Sequence, residues 1–190
     1  MVTIAEFMRL AVEAIESSNI SYMVTGSIAA GHYGENRYTN DVDIVIFVDE
    51  DDPRIEALCS HFPESDFYVS QEAAKDAAKH GGQFKVITRS APLKIDFMIS
   101  RRDLYDRTRL FRRQRVQMPD VPDVEMAAPE DVMLKKMQYY KQGGSEKHLR
   151  DITGIMKISG ELVDIAYVEH WADELDVREV WDAICRRLGR

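Results

Sequence analysis

Apolar side chains recur at helical spacing over residues 4–17, where Ile4, Phe7, Met8, Leu10, Ala11, Ala14 and Ile15 fall near one face. Asn19 is a stop signal. Ser21–Thr25 (SYMVT) predicts a short strand, Gly26-Ser27 a turn, and Ile28–Tyr33 a short helix that Gly34 ends. Residues 36–40 are polar and irregular. Asp41–Val48 (DVDIVIFV) is rich in Val and Ile, which favours a strand. Its first half alternates acid and apolar and its second half is wholly apolar, the pattern of a central strand with one functional end. Residues 49–53 form an acidic turn, and residues 54–62 and 71–79 suit helices.

Gly81-Gly82 breaks the second of these. Gln83–Thr88 and Leu93–Ile99 predict two strands joined in hairpin fashion through Arg89–Pro92. Residues 102–115 read as wholly or partly helical. Three prolines, at 119, 122 and 129, mark a linker. Beyond it the pattern is helical, over 129–141, 145–159, 163–174 and 176–188. The expected fold is therefore α+β: a mixed β-sheet core flanked by helices over residues 1–118, and a C-terminal helical subdomain over 119–190.

Composition changes this picture little. Of 190 residues, 45% are hydrophobic and 31% charged, as in ordinary globular proteins. No apolar run approaches the roughly 18 residues of a membrane span. The first twenty residues carry Glu6, Glu13 and Glu16 and lack the basic head of a signal peptide. A cytoplasmic protein with no membrane partner is expected. Cys59 and Cys185 fit no ligand motif and are expected to be free thiols. A net charge of −8 argues against broad, non-specific nucleic-acid binding.

The chemistry concentrates on acids. Side chains alternate along a strand, so Asp41 and Asp43 point the same way. Like charges side by side repel, and a divalent cation removes the conflict. Carboxylates are the hard oxygen ligands that Mg²⁺ prefers. Asp96 is the one acid in Leu93–Ile99. If that strand lies beside 41–48, three acids can hold the metal pair used in phosphoryl or nucleotidyl transfer. Upstream, the Gly26-Ser27 turn opens a helix, where backbone amides and the Ser27 hydroxyl can seat a phosphate; the plainer role for Ser27 is a helix cap. No GxxxxGK[ST] or GxGxxG motif is present.

Taken together, Thr25-Gly26-Ser27, thirteen residues, then Asp41-Val42-Asp43-Ile44 resembles the signature of the DNA polymerase beta-like nucleotidyltransferase superfamily, with Lys94-Ile95-Asp96-Phe97 as the strand of the third acid. The longer strings Gly26–Ala30 and Gly34–Asp41, followed by Pro129–Lys136 and Lys147–Ile152, resemble the small bacterial stand-alone AbiEii-like nucleotidyltransferases, whose members include toxins of abortive-infection systems. The resemblance spans about residues 20–160. It implies an enzyme that moves a nucleoside monophosphate from an NTP to a hydroxyl of RNA, protein or a small molecule, with Mg²⁺ (or Mn²⁺) on Asp41, Asp43 and Asp96. Lys136, with Lys135 as a rival, would meet the triphosphate, and Asp151 would act as a base or pair with Lys147 or Arg150. Arg37 and Thr39 can contact phosphate or shape the loop. A tRNA acceptor and a cognate antitoxin are the partners this implies; the contrasting reading is a non-catalytic nucleotide-binding or partner-binding module.

One stretch stands apart. Arg101, Arg102, Arg107, Arg109, Arg112, Arg113 and Arg115 crowd into fifteen residues, with Tyr105 and Phe111 among them. Such a run either grips an RNA backbone, with the aromatics stacking on bases, or is a solvated face balancing acids of the tail.

Overall fold

The computed structural model describes residues 2–118 and 120–189. In chain order the elements are α1 (Ile4–Ser17), β1 (Ser21–Val24), α2 (Gly26–Tyr33), β2 (Asp41–Phe47), α3 (Arg54–Ser60), β3 (Phe67–Val69), α4 (Gln71–His80), β4 (Gln83–Thr88), β5 (Lys94–Ile99), α5 (Leu104–Arg112), β6 (Gln114–Met118), β7 (Val121–Met126), α6 (Pro129–Gly143), α7 (Glu146–Ile158), α8 (Ile165–Glu174) and α9 (Arg178–Leu188). They divide between two compact units. The first comprises Met1–Thr25 and Thr39–Met126, the second Gly26–Tyr38 and Ala127–Arg190.

The first unit is built on a seven-stranded sheet in the order β3-β4-β5-β2-β1-β7-β6. It is mixed: β2 pairs parallel with β5 and β1 with β7, and the remaining pairs are antiparallel. β2 is the middle strand. Its apolar second half explains that place, since Ile44, Val45 and Ile46 are all buried. α1 begins at a capping box, in which Thr3 Oγ1 accepts from the Glu6 amide and Glu6 Oε2 accepts from the Thr3 amide. Its buried stripe of Phe7, Met8, Ala11, Val12 and Ile15 packs onto β1, β2 and β7. Phe7 stacks on Phe67, and Phe62 and Phe84 close on Phe97 at 6.2 and 5.0 Å.

The second unit is helical. α6 opens with Pro129 in its first turn, where the missing N–H costs nothing. α6 packs on α7, α8 and α2, with Met133, Leu134, Met137, Ile152, Ile155, Val168 and Trp181 buried. α2 also packs on α7. The approach there is close: a Cβ at Gly34 would lie 2.8 Å from the Ile155 amide nitrogen, so only glycine fits.

One expectation needs correction. The proline-rich linker is not one: Val121–Met126 is a strand whose Val124 and Met126 are fully buried, and Gln114–Met118 pairs with it. Prolines are read as breakers, yet one near the start of a strand spares most of the ladder. Pro119 lies outside the described residues. Residues 102–115 are helical in part, as expected, over Leu104–Arg112, and the chain then turns into β6. The three-residue β3 was too short to register as a pattern.

Candidate active site

β2 and β5 run side by side in an unbroken register: Asp41 pairs with Lys94, Val42 with Ile95, Asp43 with Asp96 and Ile44 with Phe97. In parallel strands paired residues project to the same face. One face at the N-terminal ends of these strands thus carries Asp41, Asp43 and Asp96. The opposite face sends Val42, Ile95 and Ile44 into the core. β1 fixes β2 on its other side through Val24↔Ile44, and the Thr25 amide donates to the Asp43 carbonyl at 2.9 Å. Thr39 secures the entry to β2, accepting from the Asp41 amide at 3.2 Å and donating to its carbonyl at 3.3 Å. Thr39 therefore shapes the strand end, the loop role considered for it.

Two lysines share the acid face. Lys94 Nζ donates to Asp96 Oδ2 at 2.6 Å and lies 3.5 Å from Asp41 Oδ2. Burial alone would lower the Lys94 ammonium; its hydrogen bond to Asp96, then the charges of Asp96 and Asp41, outweigh this and raise it. Lys85, paired with Asp96 across β4 and β5, places Nζ 3.7 Å from Oδ1. Asp96 is 8% exposed, and its Oδ1 accepts no hydrogen bond among the described residues. Among the described residues, no three acid, histidine or cysteine side chains converge as a ready-made metal cluster. Lys94 lies among the acids instead.

A second ionic group is built within the helical unit. Gly26 opens α2 at φ +67°, a left-handed conformation suited to glycine. The next residue, Ser27, accepts from the Arg37 guanidinium. Arg37 Nε also donates to Asp151 Oδ1 at 3.2 Å, and Lys136 Nζ donates to Asp151 Oδ2 at 2.6 Å. Lys136 and Asp151 side chains are 5% and 6% exposed, whereas Arg37 is about one third exposed. Lys135 turns elsewhere, donating to Gln138. Burial alone would raise the Asp151 carboxyl. Its bond to and charge from Lys136, followed by those of Arg37, outweigh this and hold it below the usual carboxylate range. Both oxygens of Asp151 are engaged. Its partners are Lys136 and Arg37, not the Lys147 or Arg150 that stood as the alternative to a base role.

His148 belongs to no ligand-spaced motif of the sequence. Here it stands near Lys136, Asp151 and Arg37, with its ring 5.7 Å from that of Tyr139. Burial, then the charges of Lys136 and Lys147, hold its imidazole below the ordinary value. The helical unit also carries a cleft of about 320 Å³ lined by Arg150, Thr153, Lys157, Arg187, Glu35 and Glu146. Among the described residues, Arg150, Lys157 and Arg187 form no ion pair. A larger depression on the first unit, of about 430 Å³ and lined by α1 and Phe67, contains none of the predicted site residues.

The arginine run is largely consumed inside its own unit. Arg109 is buried against Asp106 at 2.7 Å and lies over the Tyr105 ring. Arg102 pairs with Asp49, and Arg113 and Arg115 with Glu125. The acids they balance belong to this unit and not to the tail. Tyr105 is buried, so of the two aromatics only Phe111 is exposed to solvent.

Over residues 27–185 the chain matches the family described as nucleotidyl transferase AbiEii toxin, type IV TA system. It belongs to the AbiEii nucleotidyltransferase family. Solved structures agree on the fold. ANT(2'')-Ia in complex with adenylyl-2''-tobramycin aligns over 96% of this chain and 98% of its own, at 12% identity and a TM-score of 0.59. An antigenic nucleotidyltransferase-like protein from Paracoccidioides brasiliensis aligns over 78% and 73%, at 24% identity and 0.51. JHP933 from Helicobacter pylori aligns over 91% and 74%, at 14% identity and 0.50. No curated protein sequence matches. As an AbiEii-family member the chain is a nucleotidyltransferase, an enzyme whose substrate is a nucleoside triphosphate. Among the described residues no helix is long and apolar enough to cross a membrane.

Proposed function

We propose that this nucleotidyltransferase transfers a nucleoside monophosphate to a hydroxyl of an RNA acceptor, with Mg²⁺ (or Mn²⁺) held by Asp41, Asp43 and Asp96. The observation that carries this reading is the in-register pairing of Asp43 with Asp96, with Asp41 two residues along the same face. The donor set fits a hard divalent ion. A cation, Lys94, already spans two of the carboxylates, and Asp96 keeps one buried oxygen without a hydrogen bond. Such an ion, when bound, neutralises phosphate charge and orients the phosphorus under attack.

The remaining work falls to side chains. Gly26 leaves the first amides of α2 open to a phosphate, and Ser27 adds a hydroxyl. Arg37 and Lys136 present positive charge to the triphosphate, Arg37 as a fork and Lys136 as a point charge. Asp151 holds those two cations. With both oxygens occupied and its carboxyl held low, it acts as a positioning residue and not as the base. Asp96 is the group that accepts the proton of the acceptor hydroxyl.

The cleft bearing Arg150, Lys157 and Arg187 supports a polyanionic acceptor, because these three cations, without ion pairs among the described residues, outnumber the lining acids Glu35 and Glu146 on a protein of net charge −8. The family description favours a toxin paired with an antitoxin; the RNA target, such as a tRNA, is our reading of the basic cleft. The adenylyl-2''-tobramycin complex of ANT(2'')-Ia makes an aminoglycoside the rival acceptor to include. The test incubates the protein with each α-labelled NTP, Mg²⁺ or Mn²⁺, and either total RNA, lysate protein or tobramycin. Label on RNA that vanishes in Asp41→Asn and Asp96→Asn is the expected result. Label on protein or tobramycin reassigns the acceptor. Nucleotide binding without any transfer overturns catalysis and leaves a binding module.

A further inference from the structure

The acid face of β2 and β5 carries its own cation. Lys94 and Asp96 lie two residues apart on β5, so their side chains share a face, and the register sets Lys94 directly opposite Asp41. Its ammonium is 2.6 Å from Asp96 Oδ2 and 3.5 Å from Asp41 Oδ2. These are oxygens of the residues to which the reading above gives the metal. The backbone of Lys94 is pinned, its amide donating to the Asn40 carbonyl at 3.1 Å. The side chain is one third exposed, on a flexible stem that can swing to solvent. The neighbouring cation, Lys85, touches the other Asp96 oxygen only at 3.7 Å.

We propose that Lys94 is a built-in counter-ion of the acid site, occupying it when no metal is bound and competing with the divalent ion for Asp41 and Asp96. The physical basis is simple. Three carboxylates gathered on one sheet face repel, and the metal-free enzyme needs positive charge there to keep the strand ends together. An ammonium and a divalent ion cannot share the same oxygens without strong mutual repulsion at that distance. Metal entry therefore requires Lys94 to leave. Residue 94 thereby sets how tightly the apo-enzyme takes metal, a property that neither the acids nor the fold fixes alone. This inference rests on the metal reading of the three aspartates.

The test is direct Mn²⁺ binding, followed by electron paramagnetic resonance of the free ion, on the full chain without nucleotide. Wild type, K94Q, K94R and D43N are compared. K94Q is expected to bind Mn²⁺ about tenfold more tightly than wild type, the scale of one removed like charge near the site. K94R keeps the charge and is expected to match wild type. D43N is expected to lose binding. As a second readout, Mn²⁺ raises the unfolding temperature of K94Q more than that of wild type. K94T, whose side chain suits a strand, serves if K94Q does not fold. Equal or weaker binding by the uncharged variant, with binding still lost in D43N, overturns the role of Lys94 and leaves the metal reading intact. Failure of every form to bind Mn²⁺, or binding that D43N does not weaken, overturns the metal reading and this inference with it.

Discussion

Asp151 shows how much a single side chain can be asked to hold. It is buried against Lys136 and Arg37, and removing it takes a carboxylate away from the nearly buried Lys136 ammonium. Breaking a buried pair in this way costs about 3–5 kcal/mol. Asp151→Ala is therefore expected to lose about 3 kcal/mol in urea unfolding, and the double variant K136M/D151L to lose less than that. A double variant no better than the single would show that the pair is not the unit of stability. His148 carries the pH dependence of the same neighbourhood. Its imidazole is held below the ordinary value by burial and by Lys136 and Lys147, against the opposing pull of Asp151. The folded state thus binds fewer protons than the unfolded one. The contribution is present above the ordinary histidine value near 6.5 and declines as pH falls through the lowered folded value. Unfolding temperatures measured from pH 8 to 5 should fall more steeply for wild type than for His148→Gln. Cys59 offers a simpler check. Burial pushes its thiol up to about 11, so native protein should react with thiol reagents at Cys185 first and at Cys59 only on unfolding.

At the scale of elements, the approach of α2 to α7 is the tightest constraint. Gly34→Ala places a methyl against backbone, which cannot rotate away, and is expected to cost about 1–3 kcal/mol in urea unfolding. A loss below a few tenths would mean that α7 can shift. The cations of the cleft make a different prediction. R150E/K157E should raise the KM for RNA and flatten its salt dependence while leaving NTP binding unchanged, measured by label transfer at several ionic strengths. Much of this architecture was legible beforehand, and the reason is periodicity. The alternation in Asp41-Val42-Asp43-Ile44 and the apolar run after it state both the face of the acids and the central place of β2. Lys94–Ile99 announces itself in the same way. What the letters do not carry is register. Nothing local says that Asp43 lies opposite Asp96, or that Lys94 falls opposite Asp41, because those pairings are made by strands fifty residues apart in the chain. β6 and β7 were hidden for a related reason: their prolines are a local signal for a loop, and partners on both sides of β7 override it. The arginine run misled in the opposite direction. It looks like a nucleic-acid grip in one dimension, and in three it is mostly a set of internal ion pairs around Asp106 and Glu125.

The molecule as a whole keeps its acids and its buried Lys136–Asp151 group on different units, the acids within Thr39–Met126 and the lysine–aspartate pair within Ala127–Arg190. Family membership makes the ensemble a nucleotidyltransferase, and in the function proposed above its carboxylates lie on the sheet unit and its phosphate-seating groups on the helical one. The route of the chain has a further consequence. It crosses from one unit to the other at Thr25–Gly26, returns at Tyr38–Thr39, and crosses again at Met126–Ala127. Neither unit is a continuous stretch of gene. A break after codon 126 would leave Gly26–Tyr38 translated without α6 and α7, the helices on which α2 packs. Recombination therefore cannot trade either half as a cassette. The strand of Asp41 and Asp43 and the Gly26-Ser27 turn, separated by only thirteen residues, are inherited as one piece.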